Sequence, residues 1–312
     1  MSSVATLPPT AGAVMTVRSE TVQPFPAPPH RLDVVRPTLP VPVAPPALRR
    51  GPSRITRVLS SAAWATLGLS VIGVAWAIAA SRQPDLPTPA KTLHELTTLL
   101  SSPFHDSGPN DKGIGLQMLA SLQRVGFGFG LAALLGVPLG LAMGASARVW
   151  KAANPIVNLL RPVSPLAWFP IWLVLLKDAP KAAIWVIFVT ALWPIILNTA
   201  AGAASVPRDQ RNVARVFKFS RRSYLRNVLL PHTLPSIVTG LRLSIGTAWM
   251  VIVAVEMLSG GSGIGFFVWD SYNASNLARV IAAIVLIGAT GVVMDIGFLR
   301  LGRKVATPEV AG

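Results

Sequence analysis

The run AAIWVIFVTALWPIILNTAAGAA, residues 182–204, holds 23 residues and not one charged side chain. As a helix rising about 1.5 Å per residue it reaches about 34 Å, enough to cross the hydrocarbon core of a bilayer. Backbone N–H and C=O groups in that core must be satisfied within the protein, so a lone apolar run has to be helical. Five further runs of this kind lie to either side, at about 61–80, 124–144, 155–176, 236–258 and 279–299. The chain therefore reads as an all-α integral membrane protein with about six transmembrane helices. One run is irregular: 155–176 contains Arg161, Pro162, Pro165 and Pro170, and is expected to be kinked or broken.

The totals agree with that reading. Of the 312 residues, 52% are hydrophobic and 13% charged, about half the charged share of a soluble domain. The mean hydropathy is +0.55. A net charge of +16 would suit a nucleic-acid partner only on a polar, basic face of a soluble domain. Here the charge sits in short runs between apolar blocks, which is a topology signal, and no nucleic-acid partner is expected. Cysteine is absent, which removes disulfide and thiolate chemistry.

Working outward, three regions are basic. Arg49, Arg50, Arg54 and Arg57 precede the first run, and Arg300, Arg303 and Lys304 follow the last. The 204–235 loop holds Arg208, Arg211, Arg215, Lys218, Arg221, Arg222 and Arg226 against Asp209 alone. Six spans place all three on one side, which the positive-inside bias makes the cytoplasm, with both termini. Residues 81–123, 177–181 and 259–278 fall outside. Residues 1–55 are proline-rich without an apolar period and are expected to form a disordered cytoplasmic tail. The first long apolar run starts near Ser60, too late for a signal peptide. The transmembrane domain then covers 56–304, and 305–312 make a short C-terminal tail. Gly136, Gly140 and Gly144 form a small-residue stripe, expected to pack a helix within the chain, with a dimer seam as the second possibility.

The basic loop accommodates two short helices. Ser205 is placed to cap the first, with Pro207 in its opening turn and Asp209 at its positive end. Val213, Val216 and Phe217 then share a face. Ser220 is placed to cap the second, whose face of Tyr224, Leu225, Val228 and Leu229 ends at Pro231 and Pro235. Each helix has an apolar stripe and a basic back. Such a loop lies on lipid phosphates or docks a soluble partner.

Asn212-Val213-Ala214, Lys218 and Leu230-Pro231 have a spacing that resembles the cytoplasmic loop of permeases in binding-protein-dependent ABC importers. The usual motif there is E-A-A, a Gly four residues on, and a hydrophobic-x-L-P ending. Asn212 stands in place of the Glu, Val213 of the Ala and Lys218 of the Gly, a variant similar to the nitrate/nitrite/cyanate and bicarbonate permeases. The stretches 121–140, 160–173 and 239–273 are similar to that subfamily too, so the resemblance spans about 90–300. It implies a type I ABC importer permease fold, working as a homodimer. The partners implied are two ABC ATPase subunits and a periplasmic or lipid-anchored substrate-binding protein. A coupling helix around Phe217–Arg221 would enter a cleft of the ATPase, which assigns coupling to Asn212, Val213, Ala214, Phe217, Lys218, Phe219, Ser220 and Arg221. The cargo implied is a small inorganic anion: nitrate first, with nitrite or cyanate, then bicarbonate, then sulfonates.

The residues offer little to an enzyme reading. No Gly-Lys pair occurs, so the chain has no P-loop and ATP must be hydrolysed by partners. His30, His94, His105 and His232 are scattered without metal-ligand spacing, and neither metal nor cofactor is expected. Ionisable residues inside the spans are costly and by default functional. Arg161, Arg242 and Glu256 are the pathway candidates, with Arg124, Arg279 and Asp295 nearer the span ends. Arg161, among prolines, is the first choice to touch an anion. Arg242 is expected in an ion pair or at the interface, and Glu256 as an arginine's partner at the gate. The glycines of 260–265, with Phe266, Phe267 and Trp269 behind them, read as an external re-entrant loop. Gly261, Gly263, Trp269 and Asp270 then face either the membrane interface or the binding protein.

Overall fold

The computed structural model describes residues 54–108 and 111–306. The segment expected to be disordered lies outside them but for residues 54–55, and so does the C-terminal tail but for residues 305–306. The described residues from Ser60 onward form one compact unit, built of helices and short connections.

The centre is a pair of helices, α3 (Ile114–Ala145) and α6 (Ala179–Ala204). Gly128, Gly136, Gly140 and Gly144 of α3 lie against α6 so closely that a Cβ would have no room. One built on Gly140 would stand 2.6 Å from Thr199 Cβ and 2.8 Å from the Ile196 carbonyl. Glycine is required by approach here, and the stripe packs within the chain. Replacing Gly140 with valine should cost about 3 kcal/mol or more, because neither a backbone carbonyl nor a Cβ can swing away. Gly126 of α3, by contrast, is exposed and meets nothing within 4 Å, so Gly126→Ala should leave the protein folded and slightly stabilised. Yield of monodisperse protein on size exclusion checks both. A folded Gly140→Val variant would refute the close packing.

Helix α9 (Leu230–Ser259) packs on the other face of α6, with Gly202 of α6 against Thr233 and Ser236 and Gly240 of α9 against Pro194 and Asn198. Helix α11 (Leu277–Ala306) is tied to α9 by the Trp249 indole, which donates to the Ile287 carbonyl at 3.0 Å. The short α10 (Ile264–Asn273) fits between α9, α11 and α3. Helix α2 (Pro89–Ser101) lies on α11 and is joined to it by Arg279 Nε to Glu95 Oε1 at 2.9 Å. Helix α1 (Arg54–Arg82) exposes Trp64, Leu67, Leu69 and Ile72, an apolar surface that lipid can cover.

Five helices among the described residues are long and apolar enough to cross a membrane. The pair Ala147–Leu160 (α4) and Pro165–Leu176, the latter a 3₁₀ turn leading into α5 (Phe169–Leu176), is bent by 90° at its break and makes a sixth span when counted as one. This is the proline-rich run expected to break. Helix α3 starts ten residues before the expected 124, so 114–123 are helix rather than loop, with Ile114, Gln117 and Ser121 buried. The helix before Pro231 does not stop there either. Residues Leu225–Leu229 widen into a π-helical turn and run on into α9, which removes the need for the N–H that proline lacks.

Candidate functional site

Between α6 and α9 the loop folds into α7 (Arg208–Val216) and the single-turn α8 (Arg221–Tyr224). Ser205 does not cap α7. Its N–H continues α6 by bonding to the Ala201 carbonyl at 3.1 Å, and Pro207, which presets the backbone, precedes α7. Ser220 does cap α8, its Oγ accepting the Ser223 N–H at 3.2 Å. The stretch Phe217–Ser220 is a turn rather than a helix, and Arg221 opens α8. Lys218 is left-handed at φ 49°, with its N–H on the Arg215 carbonyl and that of Phe219 on the Ala214 carbonyl. This is a Schellman ending, in which glycine is usual and a lysine costs about 1 kcal/mol.

Helical spacing splits α7 into two faces. Val213, Val216 and Phe217 are 53%, 77% and 71% exposed, an apolar cluster in solvent. Asn212 and Asp209 flank them. Ala214 is buried, and Arg211 turns inward to donate from Nη2 to the Ala204 carbonyl at 2.7 Å. Phe219, less exposed than Phe217, borders a hollow that Ala214 and Val228 also line.

The opposite end of the bundle holds a buried polar cluster. Gln117, Ser121 and Arg124 follow one another on α3 at i, i+4 and i+7, facing Glu256 near the end of α9. Glu256 is fully buried. Arg124 Nη1 donates to its Oε1 at 2.6 Å and to the Ser262 carbonyl at 2.7 Å, and Nη2 donates to Ser262 Oγ at 2.6 Å. The Ser121 hydroxyl donates to Glu256 Oε2 at 2.7 Å. Three of the N–H groups at the start of α10, orphans by geometry, end here. Gly263 N–H reaches Gln117 Oε1 at 2.6 Å, Ile264 N–H reaches Ser121 Oγ at 2.8 Å, and Gly265 N–H reaches Glu256 Oε2 at 3.0 Å. A carboxylate at the positive end of α10 is electrostatically favoured. Gly263, at φ 118°, ψ 164°, takes a conformation open essentially to glycine alone, and a Cβ there would strike the Glu256 carboxylate. The loop expected to re-enter is thus a glycine turn, with Gly261 exposed, followed by a ten-residue helix. Trp269 and Asp270 lie on the exposed side of that helix, with Trp269 stacked on Tyr272 at 5.9 Å.

Arg161 ends α4 at the break in the third span and lines a cavity of about 730 Å³. Thr190, Trp193 and Asn198 of α6 and Leu243 and Thr247 of α9 line it too. Arg242 is elsewhere: Nε and Nη2 pair with both Asp295 oxygens at 2.6 and 2.8 Å, joining α9 to α11. Of the three pathway candidates, only Arg161 lines this cavity. Beside α2, a second hollow of about 420 Å³ is lined by His105, Asp111, Lys112 and Asp270. The His105 ring contacts the Ser102 carbonyl and the Asp111 carboxylate, which raise its pKa above the ordinary histidine value.

The family model described as the inner membrane component of binding-protein-dependent transport systems matches residues 136–307. The chain belongs to this family. It is 47% identical over 237 residues to the nitrate import permease protein NrtB of Synechocystis sp., covering 75% of this chain and 86% of that one. To the bicarbonate transport system permease protein CmpB of the same organism it is 44% identical over 224 residues, 71% and 80% of the two chains. A chain of the inward-facing MetNI methionine ABC transporter shares the fold at a TM-score of 0.55 and 19% identity, covering 60% of this chain and 94% of that one. The permease is a multi-pass inner-membrane transport component. Its matched segment includes the α7–α8 loop, Arg161 and Glu256 but begins after Gln117, Ser121 and Arg124. Those three, with Ser262, are what the sequence reading missed as Glu256's setting, although a polar i, i+4, i+7 stripe entering an apolar run was a usable signal.

Proposed function

We propose that this permease imports a small inorganic anion, nitrate first among them, by alternating access driven by partner ATPase subunits. Identity of 45–47% to nitrate import permeases of three cyanobacteria carries the reading. Bicarbonate is the second reading, because its permeases are 44% identical over similar lengths. The ATPases dock on the exposed Val213, Val216 and Phe217 of α7, with Asn212, Lys218, Ser220 and Arg221 around them. The basic α6–α9 loop and both termini are cytoplasmic, the 1–55 segment is a tail, and a binding protein delivers the anion at the α10 end. Two copies pair with the pathway between them. The exposed stripe of Leu243, Thr247 and Met250 on α9, beside the Arg161 cavity, supports that placement.

Nitrate is planar, singly charged and weakly hydrated. It suits a cavity with one guanidinium, a few hydroxyl and amide groups and apolar walls. Uptake of ¹⁵N-nitrate at low concentration, in cells with and without this chain, tests the reading, with bicarbonate and taurine as competitors. Loss of uptake that neither competitor affects is expected. Arg161→Gln should lower that uptake about tenfold at equal membrane abundance, the worth of one hydrogen bond to a charged group. Uptake indifferent to the chain would remove nitrate, and uptake indifferent to Arg161→Gln would remove that residue from the pathway.

A further inference from the structure

The inward face of α7 carries a second feature, separate from the exposed apolar cluster. Arg211 and Arg215 follow one another on it, Lys218 stands in the turn that ends α7, and Arg221 joins them from α8. Together they surround a pocket of about 560 Å³, a volume ordinary for a small-ligand site. Ala214, Phe219 and Tyr224 add to its wall, and the loop-side ends of two spans close it, at Ala145 of α3 and Ala203 of α6. No carboxylate lines it, and Asp209 points to the other face of the helix. Among the described residues none of these four cations is in an ion pair, and the Arg211 Nε–H is buried without an acceptor. Four cations enclosing a hollow repel one another, so an arrangement with no anion in it is electrostatically incomplete.

We propose that this pocket binds a phosphate group, and that its source is the headgroup of an anionic phospholipid. The chemistry follows from the donors: guanidinium forks match phosphate oxygens, and a buried Nε–H awaits one. The source follows from the level of the pocket, since the last residues of two membrane helices form its floor. Headgroup phosphates lie at that depth, and arginine stems reach along apolar surface to meet them. The bound headgroup then braces the back of α7 against the bundle while its apolar face stays free.

The test uses full-length purified permease. Native mass spectrometry counts retained lipid, and melting curves are taken with dioleoyl phosphatidylglycerol, with phosphate-free dioleoylglycerol, and with millimolar inorganic phosphate. Phosphatidylglycerol should be retained and should raise the melting temperature, and dioleoylglycerol should do neither. A response to inorganic phosphate as well would widen the source to free phosphate and keep the site. The Arg215→Gln/Lys218→Gln pair should weaken lipid affinity at least about tenfold, given the contribution of each cation near a headgroup. Arg222→Gln/Arg226→Gln removes equal charge from the same loop outside the pocket and should bind as wild type. Arg215→Lys/Lys218→Arg, which keeps the charge, should bind too and guards against mere misfolding. The proposal fails if the pocket pair binds normally, if both glutamine pairs lose binding alike, or if neither phosphate compound acts on the wild type.

Discussion

Arg124→Gln is expected to destabilise the permease by about 3–5 kcal/mol, the cost of leaving one partner of a buried ion pair alone. Glu256 lies entirely inside the protein, and the Arg124 side chain is 12% exposed. Water therefore cannot take over when either partner goes. Two further contacts of Arg124, to the carbonyl and hydroxyl of Ser262, would be lost together with the pair. Glu256→Gln should be damaging as well, though less so. A glutamine oxygen can still accept from Ser121 and from the Gly265 N–H, while the guanidinium keeps Ser262.

The double variant separates pairing from simple loss of packing. Arg124→Gln/Glu256→Gln restores neutrality and should lose less than the two single effects added together, with a coupling of about 2 kcal/mol. Melting followed by tryptophan fluorescence in one detergent reads all four proteins. Strictly additive losses would mean that the two groups act separately and that the short contact carries no special weight. A selective loosening should accompany the single variants: α10 hangs by its first three N–H groups from this cluster, so its amides should exchange faster while α3 and α6 stay protected.

Apolar length made the spans legible, and Pro162, Pro165 and Pro170 made the break in the third one legible as well. What the sequence hid falls where a local rule met a distant partner. Gln117 and Ser121 lower the hydropathy at the start of α3 and so read as loop, with Arg124 at the first residue of the run. They are helix because Glu256, 132 residues after Arg124, completes them. Pro231 reads as a stop, but a π-helical turn absorbs it. Lys218 gave no sign of a left-handed turn because the signal for one is glycine, and the Schellman hydrogen bonds hold it there regardless. Arg161 was recognisable as unusual from its proline neighbours. That it borders a cavity was not, since the walls come from α6 and α9, which no spacing near residue 161 reports.

Phe217→Ala should abolish most transport, by tenfold or more, while the permease folds normally and its ATPase partners still hydrolyse ATP. Phe217 is 71% exposed at the end of an apolar face shared with Val213 and Val216, and burying an aromatic anchor of that kind in a partner's pocket is worth about 2–4 kcal/mol. In solvent the ring contributes nothing to the fold, so its loss should not move the melting temperature. Phe219→Ala should behave in the opposite way. That side chain is 39% exposed and borders a hollow that Ala214 and Val228 also line, so removing it should lower stability modestly before it affects coupling. Treating the two phenylalanines as one anchor, as their spacing invites, would mix these effects. Transport and ATPase rates of the reconstituted complex, measured beside melting curves of each permease, keep them apart. Normal transport by the Phe217→Ala variant would show that the exposed face of α7 does not dock the ATPase. The same cluster would then belong at the lipid surface, the other home that an amphipathic basic helix can have.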